Sequence, residues 1–164
     1  MINILIKEIA VALKSGLFLV ALNSALTLPD ICGKALYPEI KGNGVRYKKW
    51  YQEWVSQYEH SPDDSEGSMP YASADIVWDL RCSLTHQGDA TVKLGKRNLA
   101  RFALLKTNNF MLTSMSSMDG NGENRTLEIG IGSLCFKLCS CAKACYEKNQ
   151  EKFSFNYTIE ESPL

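Results

Sequence analysis

The chain has 164 residues, of which 45% are hydrophobic, and its 18 acidic side chains balance its 18 basic ones. This length and composition suit one soluble globular domain with a well-formed core. Because the net charge is zero, no overall field attracts a polyanion, so any contact with nucleic acid must depend on a local basic surface.

The first predicted element is a long, largely apolar helix over residues 2–26. Residues 17–22 resemble the core of a signal peptide, but no positively charged segment precedes them and Lys14 interrupts the apolar run. The run is also too short to span a bilayer. We therefore expect a buried first helix in a cytoplasmic protein that makes no membrane contact. The alternative is a cleaved export signal.

Two helices are predicted next. Leu28-Pro29-Asp30 ends the first helix, because proline disfavours helical geometry in the residue before it, and a short helix then runs to Tyr37-Pro38. After a turn at Asn43-Gly44, aromatic residues recur at helical spacing as far as Tyr58. We interpret this aromatic stripe as core packing, and a platform for stacking nucleobases is the alternative.

A fourth helix is predicted to begin near Pro70, after a polar loop over 60–68, and to run into His86. Strands are predicted over 99–106 and 127–131, with a long polar loop over 108–124 between them and a last helix capped by Ser133. The predicted fold class is mainly α. It is an up-and-down helical bundle forming a single domain over 1–164, with a small β-hairpin (99–131) inserted before the last helix.

Six cysteines raise the question of disulfides or metal, and four of them lie in the predicted last helix. Helical neighbours at i and i+4 are about 5–6 Å apart at Cβ, too far for a disulfide, so reduced thiols in a cytosolic protein fit better. Four thiolates along one helix cannot surround one ion tetrahedrally, so core packing is preferred to a zinc or iron–sulfur site. No metal and no cofactor is predicted. The six are Cys32, Cys82, Cys135, Cys139, Cys141 and Cys145.

Arg81 and His86 are the candidate catalytic residues. A guanidinium neutralises charge on a phosphorane, and an imidazole near the C-terminal end of a helix moves a proton at neutral pH. On an α-helix, residues five apart point about 140° apart, so one helix does not bring the two groups together. Two copies of the helix about a two-fold axis do, which predicts a homodimer. The alternative is that Arg81 bridges on the surface and His86 only ends a helix.

Three segments of the chain carry a family resemblance: Ala25–Gly33, Arg46–Trp50 and Asp79–Gly88. Together they resemble HEPN-domain proteins (higher eukaryotes and prokaryotes nucleotide-binding), whose hallmark is an arginine followed, four to six residues later, by a histidine. The resemblance implies a two-fold dimer and a metal-independent RNA endonuclease of toxin–antitoxin or antiviral-defence systems. Many active members place Asn, Asp or His directly after the arginine, where this chain has Cys82.

The RNA substrate implied by the resemblance needs a local basic surface, and four cations follow the motif closely. We predict that Lys93, Lys96, Arg97 and Arg101 contact the RNA backbone, with a solvated loop as the alternative. An antitoxin protein is a further expected partner. The alternative function is a non-catalytic helical dimer that serves as an interaction or antitoxin-like module.

Overall fold

The computed structural model describes residues 1–59, 72–87, 91–93, 99–107, 114–118 and 125–155. This part of the chain is mainly helical, with a small sheet before the last helix. The predicted fold class is therefore confirmed. The up-and-down order of a bundle, and a single domain over 1–164, stay predictions.

Two helices stand where one was predicted over residues 2–26. Helix α1 (Ile2–Lys14) and helix α2 (Phe18–Ala25) are separated by a turn at Gly16, whose φ of 74° lies in the left-handed region. Glycine adopts that conformation without steric cost, so it reverses the chain and ends α1. The prediction of one continuous helix was wrong because it overlooked this glycine.

Helix α3 (Leu28–Leu36) begins with Pro29 in its first turn, where a proline removes no helical hydrogen bond. Helix α4 (Asn43–Trp54) follows Gly42, whose φ of 98° makes the turn. The predicted turn at Asn43-Gly44 is thus the first turn of α4. Its aromatic residues Tyr47, Trp50 and Tyr51 are fully buried, so this part of the stripe packs in the core.

Helix α5 (Ala74–Cys82) is capped by Ser73, whose hydroxyl accepts the N–H of Ile76 at 3.4 Å. The chain then continues as one π-helical turn (Ser83–Gln87). The hydroxyl of Thr85 donates to the carbonyl of Arg81 at 2.7 Å, a side-chain bond that competes with the regular α-helical ladder. Pro70 and Gly88 lie outside the described residues.

The sheet has four strands in the order β1-β2-β4-β3: β1 (Thr91–Lys93), β2 (Leu99–Leu105), β3 (Ser114–Met118) and β4 (Arg125–Gly130). The two predicted strands correspond to β2 and β4, but they pair in parallel, with Phe102 opposite Leu127. The antiparallel hairpin before the last helix is β3–β4. β3 lies within 108–124, where a loop was expected. Its serines and methionines carry no alternating apolar pattern that reveals a strand.

Helix α6 (Ile131–Lys148) continues directly from β4, so it begins before Ser133. Ser133 is buried in the first turn and is not the cap that was predicted. Helix α6 packs against α1, α2 and α3, and α4 packs between α3 and α5. None of the described helices is long and apolar enough to cross a membrane.

The cysteines of α6 take part in this packing, and all six cysteines of the chain are free thiols. Cys145 accepts the indole N–H of Trp50 at 3.3 Å, and the thiol of Cys141 donates to the carbonyl of Trp54 at 3.1 Å. Cys141, which was expected at the edge of the apolar face, is buried, whereas Cys139 is half-buried. Burial raises the pKa of Cys139 to about 12.

Candidate functional site

Arg81 lies in the last turn of α5 and is held by contacts from two directions. Its Nε donates to Oδ2 of Asp30 at 3.1 Å, and its guanidinium lies over the ring of Trp78, 5.4 Å from the ring centre. The Arg81 and Asp30 side chains are 21% and 23% exposed. Both charges are thus partly withdrawn from water while the guanidinium still reaches the surface. The Nε atom of Arg81 thus forms an ion pair, which is the kind of contact that the alternative interpretation of Arg81 expects.

Asp30 belongs to the first turn of α3, where a carboxylate also faces the positive end of the helix dipole. The pKa of Asp30 is raised because burial penalises its charged form more than the nearby cations favour it. Arg81 opposes that rise by attraction and by its hydrogen bond, and Arg46 opposes it by attraction. Asp30 is therefore a carboxylate whose ionisation depends on Arg81.

Helices α3, α4 and α5 meet around this ion pair. Gly33 of α3 lies so close to α4 that a Cβ built on it would be 2.9 Å from the carbonyl oxygen of Arg46. The ring of Tyr47 meets the ring of Trp78 edge to face, with centroids 5.1 Å apart. The three segments that carry the family resemblance thus converge on one place in the fold.

Tyr47 adds a polar atom to this junction. Its side chain is fully buried, and its hydroxyl has no hydrogen-bond partner among the described residues. Burial raises the pKa of Tyr47 far above its ordinary value, and the charge of Asp30 adds to the rise, while that of Arg81 opposes it. By contrast, the hydroxyl of the neighbouring Tyr51 donates to the carbonyl of Ala72 at 2.8 Å. The ring of Tyr47 fills the junction, and its hydroxyl stays protonated.

His86 lies in the π-helical turn, and its side chain is outside the described part of the structure. The separation of about 140° from Arg81 was derived for an α-helix, and the α-helix ends at Cys82. The figure of 140° therefore does not describe Ser83–Gln87, which is π-helical. The direction of His86 relative to Arg81 stays a prediction, because the His86 side chain is outside the described part.

The four predicted RNA-binding residues are not tested by the structure. Lys93 lies in β1 and Arg101 in β2, and the backbones of Arg101 and Thr91 pair in antiparallel register. The side chains of Lys93 and Arg101 are outside the described part, as are Lys96 and Arg97 entirely. Their contact with RNA stays a prediction.

Asp30 and Trp78 are the residues that sequence reasoning did not single out. Asp30 was predicted only to help end the first helix, and it belongs to the similar segment Ala25–Gly33. The available signal was an acidic residue directly after the proline of a helical first turn. Trp78 precedes Arg81 by three positions, a spacing that places two helical side chains side by side. Neither signal is specific without the tertiary contact.

Metal binding and similarity to known proteins are two further observations that bear on the site. Within the described ranges, no group of three or more His, Cys, Asp or Glu side chains is arranged to hold a metal ion. The predicted lack of a metal stays a prediction. The geometry around Arg81 is therefore the basis for assigning a function. No protein-family model, curated protein or solved structure matches this chain.

Proposed function

We propose that this protein is a metal-independent RNA endonuclease of the HEPN type that acts as a homodimer, in the cytoplasm, as a toxin or antiviral-defence effector. The ribose 2′-oxygen attacks the adjacent phosphorus, the bond from phosphorus to the 5′-oxygen breaks, and a 2′,3′-cyclic phosphate forms. His86 takes the proton of the 2′-hydroxyl or gives one to the leaving 5′-oxygen, and Arg81 neutralises charge on the phosphorane.

The observation that supports this proposal best is the way in which Arg81 is held. A charged group lowers a transition-state barrier most when it is fixed before the reaction in surroundings partly withdrawn from water. The contact with Asp30 uses Nε, and the ring of Trp78 supports the guanidinium plane. A π turn that bears His86 follows directly. The fixed cation and the proton-transfer group are thus separated by less than two turns of backbone.

The homodimer stays a prediction, and the family resemblance is its main support. The geometric argument for a second copy was derived for an α-helix, and Ser83–Gln87 is π-helical. Oligomeric state is therefore measured directly, by sedimentation or by light scattering coupled to size-exclusion chromatography. A dimer supports the proposal of a shared cleft, whereas a stable monomer contradicts it.

Cleavage of single-stranded RNA in the presence of EDTA tests the activity. We expect the wild-type protein to produce cyclic-phosphate ends, and Arg81→Ala and His86→Ala to lose at least about 100-fold in rate. His60→Ala is the matched control, since His60 is the only other histidine in the chain. An RNA with a 2′-deoxy sugar at the cleaved position should resist. Wild-type rates for both the Arg81 and the His86 variant would refute the assignment.

The second candidate is the non-catalytic helical dimer that serves as an interaction or antitoxin-like module. The ion pair of Arg81 with Asp30 favours it, because the same contact serves to join α5 to α3. Apolar side chains also lie exposed on α1 and α2, including Val11, Leu19 and Val20, which offers a surface to a protein partner. A folded dimer that leaves RNA intact in the same assay would favour this module.

A further inference from the structure

We propose that a groove between α3 and the segment after α6 binds one nucleotide unit of a single RNA strand, with the phosphate on its cations and the base on its aromatic rings. We call it the Phe153 groove. This inference rests on the proposed function only in naming RNA as the ligand. The groove has a volume of about 930 Å³, and its lining includes Lys34, Glu39, Arg46, Lys152, Phe153 and Phe155.

Three cations and one carboxylate line the Phe153 groove, so its local charge is positive although the chain as a whole is neutral. Lys34 and Lys152 are exposed at its opposite walls. Arg46 is held in place, because its Nη1 donates to the carbonyl of Ile40 at 3.1 Å and its Nη2 donates to Asn43. A fixed guanidinium and two exposed ammonium groups suit a phosphodiester, whose single negative charge is shared by two oxygens.

Two aromatic rings, those of Phe153 and Phe155, line the groove on the segment after α6. Phe153 is in extended backbone, so residues two apart, Phe153 and Phe155, project to the same side. Their ring centroids are 6.4 Å apart with an angle of 32° between the planes. Phe153 is supported from behind by Tyr146 of α6, edge to face at 5.1 Å. A supported pair of rings is a surface on which a nucleobase of any identity stacks.

The Phe153 groove and Arg81 lie along the same side of α3. Asp30, which holds Arg81, and Lys34, which lines the groove, are four residues apart on α3 and therefore neighbours on one face. Arg46 belongs to the groove, and its charge also acts on Asp30. A strand that places a phosphate at Arg81 can thus continue along α3 into the groove. This continuity favours an RNA strand over a free nucleotide.

Binding of a labelled ten-nucleotide 2′-O-methyl oligouridine, measured by fluorescence anisotropy, tests the inference without cleavage. We expect Lys34→Glu/Lys152→Glu to weaken binding at least 10-fold relative to the wild-type protein. Its plot of log affinity against log salt should also be shallower by about 0.7, because the contact with one phosphate is lost. Phe155→Leu, which keeps an apolar side chain but loses the ring, should weaken binding at least about 5-fold.

Lys7→Glu/Lys14→Glu is the matched control, because it makes the same charge change on exposed positions of α1. Equal affinities for the groove variant and this control would overturn the inference. So would displacement of the oligonucleotide by uridine 5′-monophosphate at the concentration at which unlabelled oligouridine displaces it, since this would indicate a mononucleotide site. Groove-dependent binding by a protein that cleaves no RNA would refute the proposed function and support the groove. Normal cleavage with groove-independent binding would do the reverse.

Discussion

Asp30 provides the sharpest test of how Arg81 is held. Two unit charges about 4 Å apart attract each other by about 4 kcal/mol at an effective dielectric constant of 20. This figure does not include the free-energy cost of burying the two charges. Yet the pKa of Asp30 is raised, so burial outweighs the attraction of Arg81 and Arg46 together. The ion pair therefore contributes little net stability, as is common for buried pairs. Its main effect is on the position of the guanidinium.

Two substitutions separate position from charge. Asp30→Asn retains an oxygen that accepts the Nε–H of Arg81, so we expect the free energy of unfolding to change by less than about 1 kcal/mol. Asp30→Ala removes the acceptor beside a charged donor and should cost about 2 kcal/mol. Under the proposed function, Asp30→Ala should also slow RNA cleavage about 10- to 100-fold, because a catalytic group displaced by 1 Å loses that much rate. Asp30→Asn should keep most of the activity.

Urea unfolding of the three proteins at pH 7, followed by circular dichroism, measures the stability terms, and cleavage rates on the same samples measure the position. The pH dependence gives a second check. The folded protein binds the proton of Asp30 more tightly than the unfolded chain does. The wild-type protein should therefore gain stability relative to Asp30→Asn as the pH falls through the raised pKa towards 3.8. A loss of 3 kcal/mol or more in Asp30→Asn at pH 7 would refute the reasoning.

Three other predictions concern packing, two of them near the candidate site and one on α6. Tyr47→Phe removes a buried hydroxyl without a hydrogen-bond partner among the described residues and should raise the free energy of unfolding by about 1 kcal/mol, whereas Tyr51→Phe, which loses a hydrogen bond to a backbone carbonyl, should lower it by about the same amount. Equal effects of the two in urea titrations would contradict this. Gly33→Ala places a Cβ 2.9 Å from a backbone oxygen and should cost about 1–3 kcal/mol by the same measurement; an unchanged midpoint would show that α3 and α4 separate freely. Burial raises the pKa of Cys135 and of Cys139 from 9.0 to about 12, so stability should be complete below about pH 9 and decline from there towards pH 12. Urea titrations from pH 7 to pH 11 check the decline, which should be smaller in Cys135→Ala/Cys139→Ala; a flat profile would contradict it.

The helices and their approximate order could be predicted from the sequence because each has an apolar periodicity of its own. Tyr47, Trp50 and Tyr51 of the aromatic stripe were predicted correctly as core, but Tyr58 is exposed. On α6, Cys135 and Cys145 are buried as predicted, whereas Cys139 is half-buried. The predicted helix boundaries were wrong where the backbone conformation depends on a single residue. Gly16 divides the first helix, and Gly42 moves the next turn by one position, since either glycine can take a positive φ that a periodicity does not record.

The sheet was harder to predict than the helices. Two strands were recognised from residues such as Leu127 and Ile129, but their partners are set by long-range contacts that the pattern within one strand does not record. Strand β3 contains serines and methionines only, and its place at the edge of the sheet beside β4 requires no apolar alternation. The geometry of the turns, which fixes the register of strand pairing, cannot be predicted from amino-acid composition.

In the candidate site, too, one part could be predicted from the sequence and another part could not. The sequence offers Arg81 and His86 as candidates through their spacing and the similar segments around them, and their catalytic role stays a prediction. It does not identify what holds Arg81, since Asp30 lies 51 positions earlier in the chain and their contact depends on how α3 meets α5. The π turn at Ser83–Gln87 was also not predictable from helical periodicity, which records only which residues are apolar.

The packing of Gly33 affects the position of Arg81, the candidate catalytic residue. Gly33 lets α3 approach the backbone of α4 at Arg46, and Asp30, one turn earlier on α3, thereby comes within 3.1 Å of Arg81 on α5. Asp30 supplies the hydrogen-bond acceptor from another helix. In this chain the position of the guanidinium is therefore a consequence of tertiary packing, and a variant that separates α3 from α4 acts on Arg81 without touching it.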